Sequence, residues 1–311
     1  MANETAIVFP GMGPSAFADV GRFMVVNPYA RKLVAIADEV LGHSLVDAFR
    51  EADGDYSEAA QVAFLVNCLA SAHWATRALS VEPAMCVGAS FGEKAAIAYS
   101  GALPVAEAIR MTVELARCMD EHFRHEHTDI VCLSFVRTPE KELDAIRAEL
   151  DAEGEWHDIT CYFDEGFYML ALREGLVPRL QNRLRAVGGM SLYTMRPPMH
   201  SAAFGALRDK AEREVLSTLD FRDPHLPVVA DQDGTVVDTA DGIRTMLLDS
   251  FVRPLNWPEA VAALKRSGIR RVCVAGPDSL FGRVPCTTSN FEVIPANPRL
   301  AMTPRRRVGA A

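Results

Sequence analysis

Residues 84–98 read AMCVGASFGEKAAIA, an apolar run that meets Gly-x-Ser-x-Gly and passes directly into an alanine-rich helical pattern. A short run of that kind suits a strand buried on both faces, and a buried strand feeding a helix is the unit of a parallel sheet covered by helices. Gly88 and Gly92 permit a sharp turn between the two, which sets Ser90 at the carboxyl end of a strand and the amino end of a helix. On this pattern alone Ser90 is either an exposed nucleophile or a serine in a tight turn. A partner base decides between them.

The rest of the first third repeats the alternation. AIVF (6–9) reads as a strand, Tyr29–Leu41 and Ala59–Leu79 as helices, and further helices follow Phe91 and Pro104. Such sheets carry their active sites at the carboxyl ends of the strands, where the turns PGMG and GASFG both fall. Residues 128–196 change order to strand, helix, strand, strand, helix, strand, the βαββαβ sequence of a ferredoxin-like unit. The expected architecture is therefore α/β: a large α/β-hydrolase-like domain with a parallel central sheet, built from 1–127 and 197–311, and an inserted ferredoxin-like small subdomain at 128–196. The segments LPVVA, WPEAVAALKRSG and RVCVAG should complete the first sheet, and the tail TPRRRVGAA should be mobile.

With 311 residues, 49% of them hydrophobic, the chain can bury a substantial core. Its net charge of -9 speaks against a general nucleic-acid or membrane-surface binder, since both partners are themselves anionic. Seven scattered cysteines, an odd number without a CxxC pair, read as buried thiols in a reducing cytoplasm. No segment reaches the roughly 18 apolar residues of a membrane span, and MANETAIVFPGMG lacks a basic, apolar leader pattern. A cytoplasmic protein is expected.

Of eight histidines, His200 in RPPMHSAAF stands out, because two prolines fix its approach and Ser201 can cap the next helix. It could be the base for Ser90 or a surface histidine near a helix start. His122, His125 and His127 lack the paired carboxylate or cysteine of a metal site and read as a solvated helix end, so no metal is expected. FPGMGPS is not a nucleotide loop, since neither G-x-G-x-x-G nor a Walker lysine is present. It suits a turn that offers a backbone N–H to an oxyanion.

Together these pieces resemble the malonyl-CoA:acyl carrier protein transacylases and the acyltransferase domains of polyketide synthases. FPGMG resembles that family's FPGQG, GASFGE its GHSLGE, MHSAAF its histidine motif, VRPLNWPEAV its P-V-x-W segment, AGPDSLFG its late glycine-proline turn, and AQVAFL (60–65) its TQPAL segment. The resemblance implies a ping-pong acyl transfer: Ser90 as nucleophile, His200 as base, and the N–H groups of Phe91 and Met12 as the oxyanion hole. Gln61 and Met199, the latter in the family's selectivity motif, would line the acyl pocket. It implies no bound cofactor, the acyl group being carried on coenzyme A or on the phosphopantetheine arm of an acyl carrier protein partner.

The departures from the family pattern are specific. The arginine that grips a malonyl carboxylate should fall at Leu115, and Arg117 lies roughly 200° further round a helix. The histidine before the nucleophile is Ala89, and the glutamine near the histidine-orienting position is Ser250; the resemblance implies that Ala89, Leu115 and Ser250 also line the substrate chamber. A carboxylate buried without its cation is strongly disfavoured, so the expectation is a discrete transferase for a non-carboxylated acyl group in polyketide biosynthesis. Acidic carrier proteins would dock on Arg185, Arg196 and Arg299. An acyl hydrolase that clears carrier proteins, and a non-catalytic docking subunit, are the alternatives.

Overall fold

The computed structural model describes residues 4–303. β1 (Thr5–Phe9) is followed by α1 (Phe17–Val26), α2 (Pro28–Leu41), α3 (Leu45–Glu51) and α4 (Glu58–Ala78); β2 (Met85–Gly88) then leads into α5 (Gly92–Tyr99) and α6 (Val105–His125). Next come β3 (Ile130–Val136), α7 (Glu140–Ala152), β4 (His157–Asp164), β5 (Phe167–Arg173), α8 (Val177–Ala186) and β6 (Met190–Met195). The chain continues through α9 (Gly205–Glu214), β7 (Val228–Val229), β8 (Val236–Val237), α10 (Ala240–Val252), β9 (Leu255–Asn256), α11 (Trp257–Arg266), β10 (Arg271–Ala275), α12 (Pro285–Thr288), β11 (Glu292–Ala296) and α13 (Pro298–Ala301).

Local chemistry sets these elements. Asn27 caps α2 by accepting from the Tyr29 N–H at 2.9 Å, Pro28 opens the helix, and Gly42 closes it in the left-handed region at φ 73°. α4 is buried around most of its circumference, as expected of a helix running through a core rather than over it. Every residue of β1 and β2 is buried, which accounts for runs of apolar residues in place of alternation.

The first sheet has the order β11-β10-β1-β2-β7-β8. Its pairings are parallel except for β8, which runs antiparallel to β7, so the expectation of a parallel sheet holds for all but one short edge strand. The second sheet has the order β6-β3-β5-β4-β9, and its first four strands stand in the ferredoxin-like arrangement. Here the structure departs from the sequence reading. Leu255 and Asn256 of the VRPLNW segment do not join the first sheet but pair in parallel with Cys161 and Tyr162 of β4. Two residues of strand are too short to show as a periodic pattern.

β9 ties the two sheets together, and the packing continues the tie. One face of the first sheet contributes Ala6, Val8 and Val87 to a core shared with Cys132, Cys161 and Met169 of the second sheet. Trp257 is fully buried there, its indole N–H donating to Thr287 Oγ1 at 2.8 Å and its ring edge-on to Phe281. The opposite face of the first sheet, through Ile7, Phe9 and Cys86, packs under the helices. All seven cysteines are free thiols, six buried and Cys286 half-buried. No described helix is long and apolar enough to cross a membrane. The TPRRRVGAA tail lies outside the described residues, apart from its first residue, Thr303.

Candidate active site

Ser90 owes its position to glycine on either side. A Cβ at Gly88 would collide with the backbone of Gly92, and one at Gly92 with the Phe9 carbonyl, so no other residue fits either place. The Ala89 N–H donates to the Phe9 carbonyl at 2.9 Å and the Gly92 N–H to the Ala89 carbonyl at 2.8 Å. Between them Ser90 is held at φ 50°, a left-handed conformation that disfavours a side chain by about 1–3 kcal/mol and persists where the surroundings overdetermine it. This is the strained strand-to-helix elbow that lifts a serine hydroxyl out of the turn.

His200 approaches from β6 and the two prolines, 110 residues further along the chain, and its Nε2 stands 2.7 Å from Ser90 Oγ. It too has a positive φ, 65°. The next residue anchors it: the Ser201 N–H donates to the Phe251 carbonyl at 3.2 Å, and the Ser201 hydroxyl donates to Asp158 Oδ2 at 2.6 Å while accepting from the Ala203 N–H at 3.2 Å. The imidazole is 3% exposed. Burial lowers its pKa to about 4, against an opposing pull from the Ser250 backbone carbonyl. The ring is therefore neutral at ordinary pH and able to accept the Ser90 proton. Among the described residues no carboxylate reaches its Nδ1, which is buried without a well-formed hydrogen bond. The site is a Ser–His pair whose ring faces a backbone carbonyl.

Beneath the pair lies a feature the sequence reading missed. The Ser90 N–H donates to Asp231 Oδ2 at 2.5 Å, and Asp231 in turn shares a hydrogen bond with Glu93, whose Oε1 accepts from Gln232 Nε2 at 2.8 Å. Asp231 and Glu93 are 0% and 1% exposed. Burial raises both carboxyls above the usual range, and for Glu93 the neighbouring Asp231 charge adds to the effect. Two buried carboxyls in contact hold a proton between them. The signal was present in the sequence: Asp231 follows strand β7 at its carboxyl end, the edge where such sheets place chemistry.

Two cavities meet at the pair, of about 110 Å³ and about 230 Å³, and Met12, Met195, Ser90 and His200 line both. The smaller is also lined by Phe91, Gln61, Leu115, Met199 and Ser250, so these predicted residues do converge. Among the described residues, the Phe91 and Met12 N–H groups make no backbone hydrogen bond. Leu115 is buried in the wall, while Arg117 turns outward to pair with Glu58 at 2.7 and 3.0 Å.

The expectation for Ala89 needs correction. Ala89 lines neither cavity. It continues the alternation of β2, so it points with Val87 into the core between the sheets. Arg185 and Arg196 are exposed but engaged, the first with Asn182 and the second with Glu174 and the Thr128 carbonyl. Arg299 is exposed on α13. The rings of His122 and His127 stack with each other and against Phe123 and Phe204, and no described group of side chains could hold a metal ion.

A sharp-turn serine, a neutral buried histidine and free backbone donors on an α/β fold with a ferredoxin-like insert suit acyl chemistry through a serine. Comparison with known proteins points the same way. Residues 134–195 match the family described as VinK acyltransferase small domain. The malonyl CoA-acyl carrier protein transacylase of Escherichia coli (strain K12) is 24% identical over 284 residues, 90% of this chain and 91% of that one. Kotanin synthase of Aspergillus niger is 26% identical over 286 residues, 86% of this chain but 16% of that much longer one. Among solved structures, a type II PKS acyl-carrier protein in complex with its malonyl-transacylase, PlMCAT:AntF, matches with TM-score 0.83, 22% identity and coverage of 96% and 97%. The acyl-carrier-protein S-malonyltransferase of Burkholderia pseudomallei matches with TM-score 0.84 and 20% identity, again covering 96% and 97%. The chain is an acyltransferase related to the malonyl-CoA:acyl carrier protein transacylases.

Proposed function

We propose that this enzyme moves a non-carboxylated acyl group from a coenzyme A or carrier-protein thioester onto Ser90, and then to the phosphopantetheine thiol of an acyl carrier protein in polyketide synthesis. The observation that carries the reading is the 2.7 Å contact of Ser90 Oγ with the neutral, buried His200. His200 Nε2 takes the hydroxyl proton as Oγ bonds to the thioester carbon. The N–H groups of Phe91 and Met12 receive the oxyanion, each such donor being worth about 3–4 kcal/mol. The C–S bond then breaks, and the departing thiolate takes the proton from His200 to leave as a thiol. In the second half His200 deprotonates the incoming pantetheine thiol, the new C–S bond forms, the ester C–O bond to Ser90 breaks, and Ser90 Oγ recovers the proton from His200. No resident cofactor takes part, since the acyl carrier arrives with each substrate.

Two cavities joined at Ser90 suit these two demands, one for the acyl group and one for the pantetheine arm. Leu115 supports the choice of acyl group, because a carboxylate facing it would meet hydrocarbon. The acidic partner would meet Arg185, Arg196 and Arg299 at the surface. Exposure of the protein to butyryl and malonyl thioesters, with intact-mass measurement, tests the reading. Butyryl labelling that exceeds malonyl labelling, and that Ser90→Ala abolishes, is expected. Dominant malonyl labelling would overturn the acyl assignment.

A further inference from the structure

The acyl cavity contains a cation that neither the motif pattern nor the family resemblance draws attention to. Lys94 lies four residues after the nucleophile, in the first turn of α5. Its side chain is 9% exposed and lines the same cavity as Ser90, His200 and Leu115. Nζ sits 4.3 Å from the centroid of the Phe91 ring. Among the described residues it makes no hydrogen bond and no ion pair.

The adjacent carboxyl does not serve as its counter-ion. Glu93 accepts from Gln232 and shares a hydrogen bond with Asp231, and it forms no ion pair with Lys94. Burial draws the Lys94 pKa down to about 7 despite the opposing influence of Glu93. A second polar group of the cavity is likewise unsatisfied: Gln61, 5% exposed, donates to the Tyr56 carbonyl at 2.9 Å while its Oε1 is buried with no partner. The other walls are largely methionine, leucine and phenylalanine. A donor set in an apolar cavity gains from an acceptor, and an oxygen carried by the acyl chain would supply one.

We propose that Lys94 is a specificity-determining residue of the acyl cavity, donating to an oxygen carried by the acyl group, so that the preferred substrates bear a neutral carbonyl or hydroxyl oxygen beyond the thioester. The inference rests on the reading of this cavity as the acyl site. It places the polar recognition on α5, where the family pattern expects it on α6 at Leu115.

The test is the rate of Ser90 acylation of the full chain by butyryl, acetoacetyl and malonyl thioesters of N-acetylcysteamine, followed by intact mass. Butyryl and acetoacetyl groups have the same chain length and differ in one carbonyl. The unchanged protein is expected to accept acetoacetyl about tenfold faster than butyryl, and Lys94→Met, which keeps the packing on Phe91, to bring the two within about twofold. Persisting butyryl acylation in that variant shows an intact fold and nucleophile; should it be lost, Lys94→Leu, which likewise removes the donor, carries the same comparison. Equal rates in the unchanged protein, or a ratio that neither variant moves, would overturn the proposal. Malonyl acylation that exceeds both and disappears in Lys94→Met would support the role of Lys94 while overturning the non-carboxylated reading, so the two claims fail separately.

Discussion

The Ser90 backbone N–H donates to the carboxyl of Asp231, a residue 141 positions further along the chain. The nucleophile is thus held from below by a buried acid pair while His200 approaches its hydroxyl from the side. Asp231→Asn keeps an acceptor for that N–H and gives Glu93 a donor. The fold raises both carboxyl pKa values, so it retains protons that the unfolded chain releases near pH 4. Their stabilising contribution is complete below that range and is lost as pH rises through the folded values. Urea midpoints between pH 5 and 8 should fall more steeply for the unchanged protein than for Asp231→Asn, with Ser90 acylation changed less than about tenfold.

His200 has the opposite sign. Its pKa in the fold is about 4, below the ordinary value of about 6.5. The stability this represents is present above 6.5 and is lost as pH falls toward 4, a difference of about 3 kcal/mol. Since only the neutral ring accepts the Ser90 proton, acylation kcat/KM should keep its plateau down to about pH 5 and fall through about 4. A limb at 6.5 would show that the imidazole is not desolvated in the working enzyme.

The elbow strain at Ser90 separates stability from activity. Glycine adopts φ 50° freely and alanine does not. Ser90→Gly should therefore be about 1 kcal/mol more stable than Ser90→Ala, while both lose acylation by a factor of about 10³ or more. Calorimetry and intact mass on the two variants read the two effects.

Substitution at Leu115 tests the lack of an arginine on the α6 wall of the cavity. Leu115→Arg should raise malonyl acylation relative to butyryl by about tenfold or more, because a carboxylate in the cavity then meets a planar, doubly donating partner. The same change should lower the melting temperature, as a charge replaces buried hydrocarbon when the site is empty.

Docking on Arg299 should act on the second half-reaction alone. Arg299→Glu is expected to raise KM for the carrier protein several-fold and to reduce its salt dependence, with loading from a small thioester unchanged. Arg185 and Arg196, already engaged with Asn182 and Glu174, should give smaller effects.

The readable parts of this molecule were those fixed by local constraint. Gly88 and Gly92 are required by backbone contact, and long apolar or amphipathic runs such as α4 and α6 carry their period in the sequence, so the nucleophile turn and both units could be inferred. Residues placed by long-range pairing left little trace. β9 is two residues long and joins a sheet whose other strands lie far upstream. Asp231 sits in VVADQDG, which reads as a polar turn until β7 is set beside β2. Ala89 falls at a substrate position of the family motif, although the period of two that carries β2 onward turns it into the core. Lys94 gives no signal in the sequence because a lysine in a helix is normally solvated; its burial depends on Phe91 and on the cavity that five other segments enclose.

The central claim is transfer through an acyl-serine. It is tested most directly by loading the protein with a butyryl thioester, removing excess donor, adding a holo acyl carrier protein, and following both masses in a single turnover. The account predicts a one-acyl increment on Ser90 that disappears as the same increment appears on the carrier protein. Absence of a covalent adduct, or release of the acyl group to water with the carrier protein left unmodified, would contradict it.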